Sequence, residues 1–149
     1  MAGLVTGLQK FAGGKIRSRS SSPKLQVLNT ALLTAQAQFS YEQALADPVF
    51  LGRLTESAVG AHLLNDGAAA GIKVYYWREQ NREVDFVLEL RGESVAIEVK
   101  SGRRQGRETT LSGMEAFTRA FAPRKVLLVG SGGINLEEFL QIPPRTWFD

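Results

Sequence analysis

Cysteine is absent from the 149 residues, and histidine occurs once, at His62. Without cysteine there can be no disulfide scaffold, thiolate zinc site, iron–sulfur cluster or thiol nucleophile. A single histidine excludes a His-rich metal cage and gives little basis for a Ser-His-Asp triad. No apolar run approaches the ~20 residues that a membrane span requires. The opening Met1 to Leu8 stretch has no basic side chain, and Lys10 soon interrupts it, which argues against a signal peptide. These absences predict a soluble, cytoplasmic domain without membrane association. Any metal chemistry in it has to come from carboxylates.

Acidic residues are also missing from the whole stretch before Glu42, where Lys10, Lys15, Arg17, Arg19 and Lys24 sum to +5. The total charge is +3, so the remainder carries −2. Twelve arginines against six lysines suit phosphate contact, because the guanidinium fork pairs with phosphate oxygens. Arg17 and Arg19, with Arg103, Arg104 and Arg107 further on, can track a nucleic-acid backbone. A solubilising tail and a solvated loop is the plainer alternative. The Gly/Ser/Arg-rich run Gly13 to Pro23 reads as a linker, so residues 1–22 are expected as a basic flexible arm and 23–149 as one folded domain. Gly14-Lys15 is not a P-loop, since Gln9 and Ile16 stand where Gly and Ser or Thr are needed.

The chain beyond the arm alternates helical and strand patterns. Asn29 can cap a helix over Ala31 to Gln38. Asp47 can cap a second, with Pro48 at its first position and Gly67 at its end. On that helix Gly52, Glu56 and Gly60 share one face, letting it press close to a neighbour around a carboxylate; Arg53 offers Glu56 an ordinary surface ion pair. Strands are expected at Lys73 to Arg78, Glu83 to Leu90 and Glu93 to Lys100, joined by turns at Gln80-Asn81 and Arg91-Gly92. Leu111, Met114, Phe117 and Phe121 mark a core-facing helix that Pro123 stops. Lys125 to Val129 reads as a buried strand in a right-handed parallel crossover, and Asn135 with Glu138 as a capping box. Gly130, Gly132 and Gly133 miss the dinucleotide fingerprint at Asn135. The fold class is therefore mixed α/β.

A two-residue turn at Arg91-Gly92 fixes the register of the second hairpin, setting Asp85 opposite Glu98 and Glu83 opposite Lys100. Alternation then gathers Asp85, Glu98 and Lys100 on one face and Val84, Phe86, Leu88, Val95, Ile97 and Val99 on the other. Two facing carboxylates repel, unless a divalent cation such as Mg²⁺ lies between them. Lys100 would project to the same place and stabilise a phosphoryl transition state or orient a water. The alternative is a solvated ladder in which Lys100 neutralises Glu83 and Glu98. Spacing alone leaves both open.

Glu56, Asp85 and the Glu98-Val99-Lys100 run resemble the E…D…ExK signature of the PD-(D/E)XK nuclease superfamily. More narrowly, PKLQVLNTALL, GRLTE, YYWREQNREVDFVLE and AIEVKSG resemble the domain of unknown function that follows the ATPase module in prokaryotic AAA-type ATPases. The resemblance implies a restriction-endonuclease-like αβββαβ core, a mixed central sheet flanked by helices. It implies that Asp85 and Glu98 ligate Mg²⁺ or Mn²⁺, that Lys100 is the catalytic lysine, and that Glu56 is an auxiliary acid. The implied activity is metal-dependent phosphodiester hydrolysis, with DNA as substrate. A non-catalytic module that binds nucleic acid or docks an ATPase is the alternative. Asn29 and Ala31 depart from the family's Asp and Gly, outside the signature. The preceding ATPase module is missing from this chain, so an ATP-driven step is expected to lie elsewhere.

Overall fold

The computed structural model of the protein describes residues 4–13, 21–101 and 107–149, with side chains described throughout these except at 107–111. Two strands open the fold, β1 (Val5–Lys10) and β2 (Lys24–Val27), followed by helices α1 (Ala31–Gln36), α2 (Tyr41–Ala46) and α3 (Pro48–Ala68). Strands β3 (Lys73–Glu79), β4 (Arg82–Leu90) and β5 (Glu93–Lys100) come next, then α4 (Arg107–Phe121), β6 (Lys125–Gly130), α5 (Leu136–Gln141) and a 3-10 turn at Pro144–Phe148. The six strands form one mixed sheet in the order β2-β1-β3-β4-β5-β6. Pairing is antiparallel through β3, β4 and β5 and parallel between β5 and β6, as a helical crossover through α4 requires.

Helices cover both faces of the sheet. Val59 and Leu63 of α3 pack with Phe86, Leu88, Val95, Ile97 and Phe139 on one side. Phe117 of α4 packs with Phe11, Trp77, Val84, Val87 and Ala96 on the other. Strands buried on both faces read as apolar runs rather than alternations, and the interior of β4 (Phe86-Val87-Leu88) does so. Met114 and Phe121 join the α4 core as their spacing predicts, whereas the Leu111 side chain lies outside the described residues.

The local signals hold where the backbone has few choices. The Asp47 carboxylate accepts from the N–H groups of Val49 and Phe50, and Pro48 starts α3, which ends one residue past Gly67. Arg91 and Gly92 sit at φ +53° and +85°, the pair of left-handed conformations that a two-residue hairpin turn uses. Thr30, not Asn29, is the N-cap of α1, although Asn29 Oδ1 still accepts from Ala31 N at 3.0 Å. Asn135 caps α5 by accepting from the Glu137 and Glu138 N–H groups, without the return bond from the Glu138 side chain that would complete a capping box.

Two expectations need correction. Residues 1–22 are not an arm throughout, because Val5–Lys10 is a strand between β2 and β3, with Leu8 and Phe11 buried. Only one of its six residues is buried, so the sequence offers little alternation there. The second correction is on β4. Tyr75 pairs with Val87 but Trp77 pairs with Val84, leaving Asp85 and Phe86 together opposite Tyr76. This β-bulge shifts the side-chain alternation by one residue. Val84 therefore faces α4 with Val87 and Ala96, and not the α3 side with Phe86 and Leu88.

Candidate functional site

The bulge decides where the acids go. Hairpin pairing follows the expected register from Leu90↔Glu93 to Phe86↔Ile97 and is replaced beyond it by side-chain bonds. Val99 N donates to Asp85 Oδ2 at 2.8 Å, and Asp85 N donates to Glu98 Oε2 at 3.4 Å. Asp85, turned by the bulge, reaches toward the α3 side, where its Oδ1 lies 3.8 Å from Lys24 Nζ. Glu98 follows the regular alternation of β5 with Ala96, on the α4 side. The two carboxylates thus meet at the β4–β5 seam from opposite sides instead of facing each other on one surface.

Lys24 is the residue that sequence reasoning missed. Its ammonium lies 2.6 Å from Glu56, 3.1 Å from Glu83 and 3.8 Å from Asp85, and 5.9 Å from the centre of the Phe86 ring. Counted by charge with the basic stretch before Glu42, it begins β2, which Gln26 anchors to α3. Gln26 Nε2 donates to Ser57 O at 3.0 Å and to Val27 O at 2.8 Å. The available signal was the alternation in Lys24–Val27, which puts Lys24 on the side of the buried Gln26 and leaves Leu25 outward.

The glycine face of α3 works as its spacing suggests. A Cβ on Gly60 would land on the Gln26 amide, and one on Gly52 would meet Ser101 Oγ at 2.8 Å. Gln26 is fixed by its two bonds, while the Gly52 contact is with the tip of the short Ser101 side chain. Gly60→Ala is therefore expected to destabilise the protein by about 1–3 kcal/mol, and Gly52→Ala to be near neutral because helix propensity offsets the contact. Urea denaturation of the two variants checks this; equal losses would contradict it.

Other expected partners are rearranged. Glu56 pairs with Lys24 and not with Arg53. Glu83 is bonded by Arg78 at 2.6 Å and by Lys24, and not by Lys100. Lys100 Nζ lies 3.4 Å from Glu98 Oε1, as the ladder alternative had it for that pair. Of the expected site, Glu56 and Asp85 share one ammonium, Glu98 and Lys100 share an ion pair, and Asp85 and Glu98 join the halves through backbone N–H groups. Arg17, Arg19, Arg103 and Arg104 lie outside the described residues; Arg107 begins α4, and its side chain is not among those described.

Burial gives this cluster its electrostatic character. The side chains of Asp85 and Glu98 are only 14% and 8% exposed. Burial first, and then the charges of Glu98 and Glu56, push Asp85 up to about 8 against the pull of the Val99 N–H and Lys24. Burial likewise raises Glu98, opposed by Lys100 and the Asp85 N–H. For Glu83 burial is outweighed by Arg78 and Lys24, which hold it below the usual carboxylate range. Lys24 is raised, since Glu56, Asp85 and Glu83 overcome the cost of its own burial.

Carboxylate oxygens are the donor type that Mg²⁺ accepts, one or two of them sufficing where waters complete its shell. Among the described residues no three Asp, Glu or His side chains are grouped to hold a metal ion. The fold and site define a mixed α/β domain with helices on both sheet faces and a buried acid pair at the open end of a hairpin. The chain belongs to the family described as Domain of unknown function (DUF4143), whose model matches residues 51–143. That span includes Glu56, Asp85, Glu98 and Lys100 but not Lys24. Searches of curated proteins and of solved structures found no match. No helix among the described residues is long and apolar enough to cross a membrane.

Proposed function

We propose that this protein is a metal-dependent nuclease-like domain that hydrolyses phosphodiester bonds in DNA, built on the core of the PD-(D/E)XK superfamily. The observation that carries the reading is the buried Asp85–Glu98 pair with Lys100 beside it. Such a pair is costly to keep charged without a cation. The run α3-β3-β4-β5-α4-β6, in the expected αβββαβ order, supports the assignment of the core.

Mg²⁺ or Mn²⁺, when bound, would supply Lewis acidity toward a phosphate oxygen and a more acidic water. Asp85 Oδ1, free of a backbone bond and on the α3 side, would hold the ion, and Glu98 would join it by swinging its side chain across the β4–β5 seam from the α4 side. The Lys100 ammonium, three N–H donors on a flexible stem, would leave Glu98 to meet the charge that grows on phosphate oxygens in the transition state. Glu56 would serve as the auxiliary acid at the edge of the site. Arg17, Arg19, Arg103, Arg104 and Arg107 would bind the DNA backbone, and an AAA-type ATPase module is the proposed partner.

The test is cleavage of double-stranded, single-stranded and branched DNA with Mn²⁺, alongside DNA affinity from 50 to about 200 mM salt. Cleavage is expected, with affinity falling as counterions are released, by on the order of tenfold or more. Salt-independent affinity would rule out the arginine contacts.

One arrangement favours the second reading, a non-catalytic module that binds nucleic acid or docks an ATPase. Every acid of the cluster already has a cationic partner, in Lys24, Arg78 or Lys100. Binding of DNA without cleavage, with the ATPase partner present, would establish it.

A further inference from the structure

Lys24 makes a different use of the acids from the one a metal would make. Glu83 is already matched by Arg78, so the ammonium chiefly serves Glu56 and Asp85. When both are ionised, those two carboxylates carry two negative charges against its single positive one. A divalent cation would balance them fully. The Asp85 oxygen nearest the ammonium, Oδ1, is the one that the Val99 N–H leaves free. An ion held by Asp85 would therefore compete with the lysine for the same oxygen.

The tether is short and fixed. β2 is held to α3 through Gln26 only two residues on, with the glycine at position 60 leaving room for that amide. Lys24 is also in register with Leu8 of β1, so its backbone is set by pairing on one side and by Gln26 on the other. Only its flexible four-carbon stem can withdraw the charge. The ammonium lies over the Phe86 ring, 5.9 Å from its centre, a weakly favourable place beside the acids.

We propose that the Lys24 ammonium is a tethered counter-ion that occupies the cation position between Glu56 and Asp85, so that a divalent ion binds Asp85 only by displacing it. This rests on the metal-site reading above. Lys24 then sets the affinity of the site for metal and frees Glu56 when it leaves. It holds the acids together while no ion is bound, and it keeps weakly available cations out.

The experiment is Mn²⁺ titration by electron paramagnetic resonance on the full chain, for wild type, Lys24→Gln, Lys24→Arg and Glu98→Gln. Lys24→Gln is expected to bind Mn²⁺ at least about tenfold more tightly than wild type, since a like charge within 4 Å of a ligand oxygen is gone. Lys24→Arg should stay near wild type, and Glu98→Gln should lose binding. If wild type binds through Glu98 and Lys24→Gln binds no more tightly, the counter-ion role is overturned and the metal site stands. If neither binds, both are overturned. Should Lys24→Gln fail to fold without metal, Mn²⁺ is expected to restore its thermal melting transition; failure to do so would overturn the role.

Discussion

Replacing Lys100 with methionine is expected to slow metal-dependent DNA cleavage by on the order of 10²–10³ while leaving Mn²⁺ binding intact. The ammonium cannot ligate a metal while protonated, because it has no free lone pair. Its resting partner is Glu98, 3.4 Å away, so its removal takes a positive charge from beside a proposed ligand and should tighten metal binding slightly. Glu98→Gln should instead lose metal and cleavage together. Calorimetry with Mn²⁺ and single-turnover cleavage on the same preparations separate the two effects. A Lys100→Met variant that cut DNA at the wild-type rate would remove lysine from the chemistry.

Metal-free protein is expected to become more stable as pH falls from 8 to about 5, the reverse of what paired surface carboxylates produce. The sign follows from the acids at the β4–β5 seam. Asp85 titrates near 8 in the fold and Glu98 is also raised, so the folded state binds protons that the unfolded chain has already released. Their contribution is complete below the ordinary carboxylate range and is lost as pH rises toward 8. Glu83, held below that range, acts in the other direction and costs stability only at more acid pH. A stability maximum near pH 5 follows, measured by urea denaturation across the range. Asp85→Asn should flatten the limb between pH 5 and 8. A limb that rises with pH in the wild type would show that burial does not dominate at Asp85.

Much of the fold was legible because local chemistry dictated it. The bounds of β5, the Asp47-Pro48 start of α3 and the Arg91-Gly92 turn all follow from residues whose backbone preferences are strong. The α2 helix was not read from the sequence, although Ser40 and Gln43 form a capping box, because its six residues bury nothing and give no apolar stripe. β1 gave little signal for a related reason, being set by pairing with two neighbours more than by burial of its side chains. For the candidate site, the three acids and one lysine of the signature were all visible, yet their geometry was not. A hairpin register counted from the turn assumes an unbroken ladder. Asp85 breaks it, because β4 answers to β3 as well as β5, and the shift lies in the β3 pairing. Lys24 escaped notice because its partners lie 32, 59 and 61 residues away, beyond the reach of any local pattern.

Binding of a divalent ion by Asp85 and Glu98 is the property on which the proposed chemistry depends most directly. Calorimetric titration of Mn²⁺ into the full chain at neutral pH, with Asp85→Asn and Glu98→Gln in parallel, measures it. Saturable binding in the wild type, lost in both variants, is the predicted result. No binding in the wild type, or binding that both substitutions leave unchanged, would contradict it.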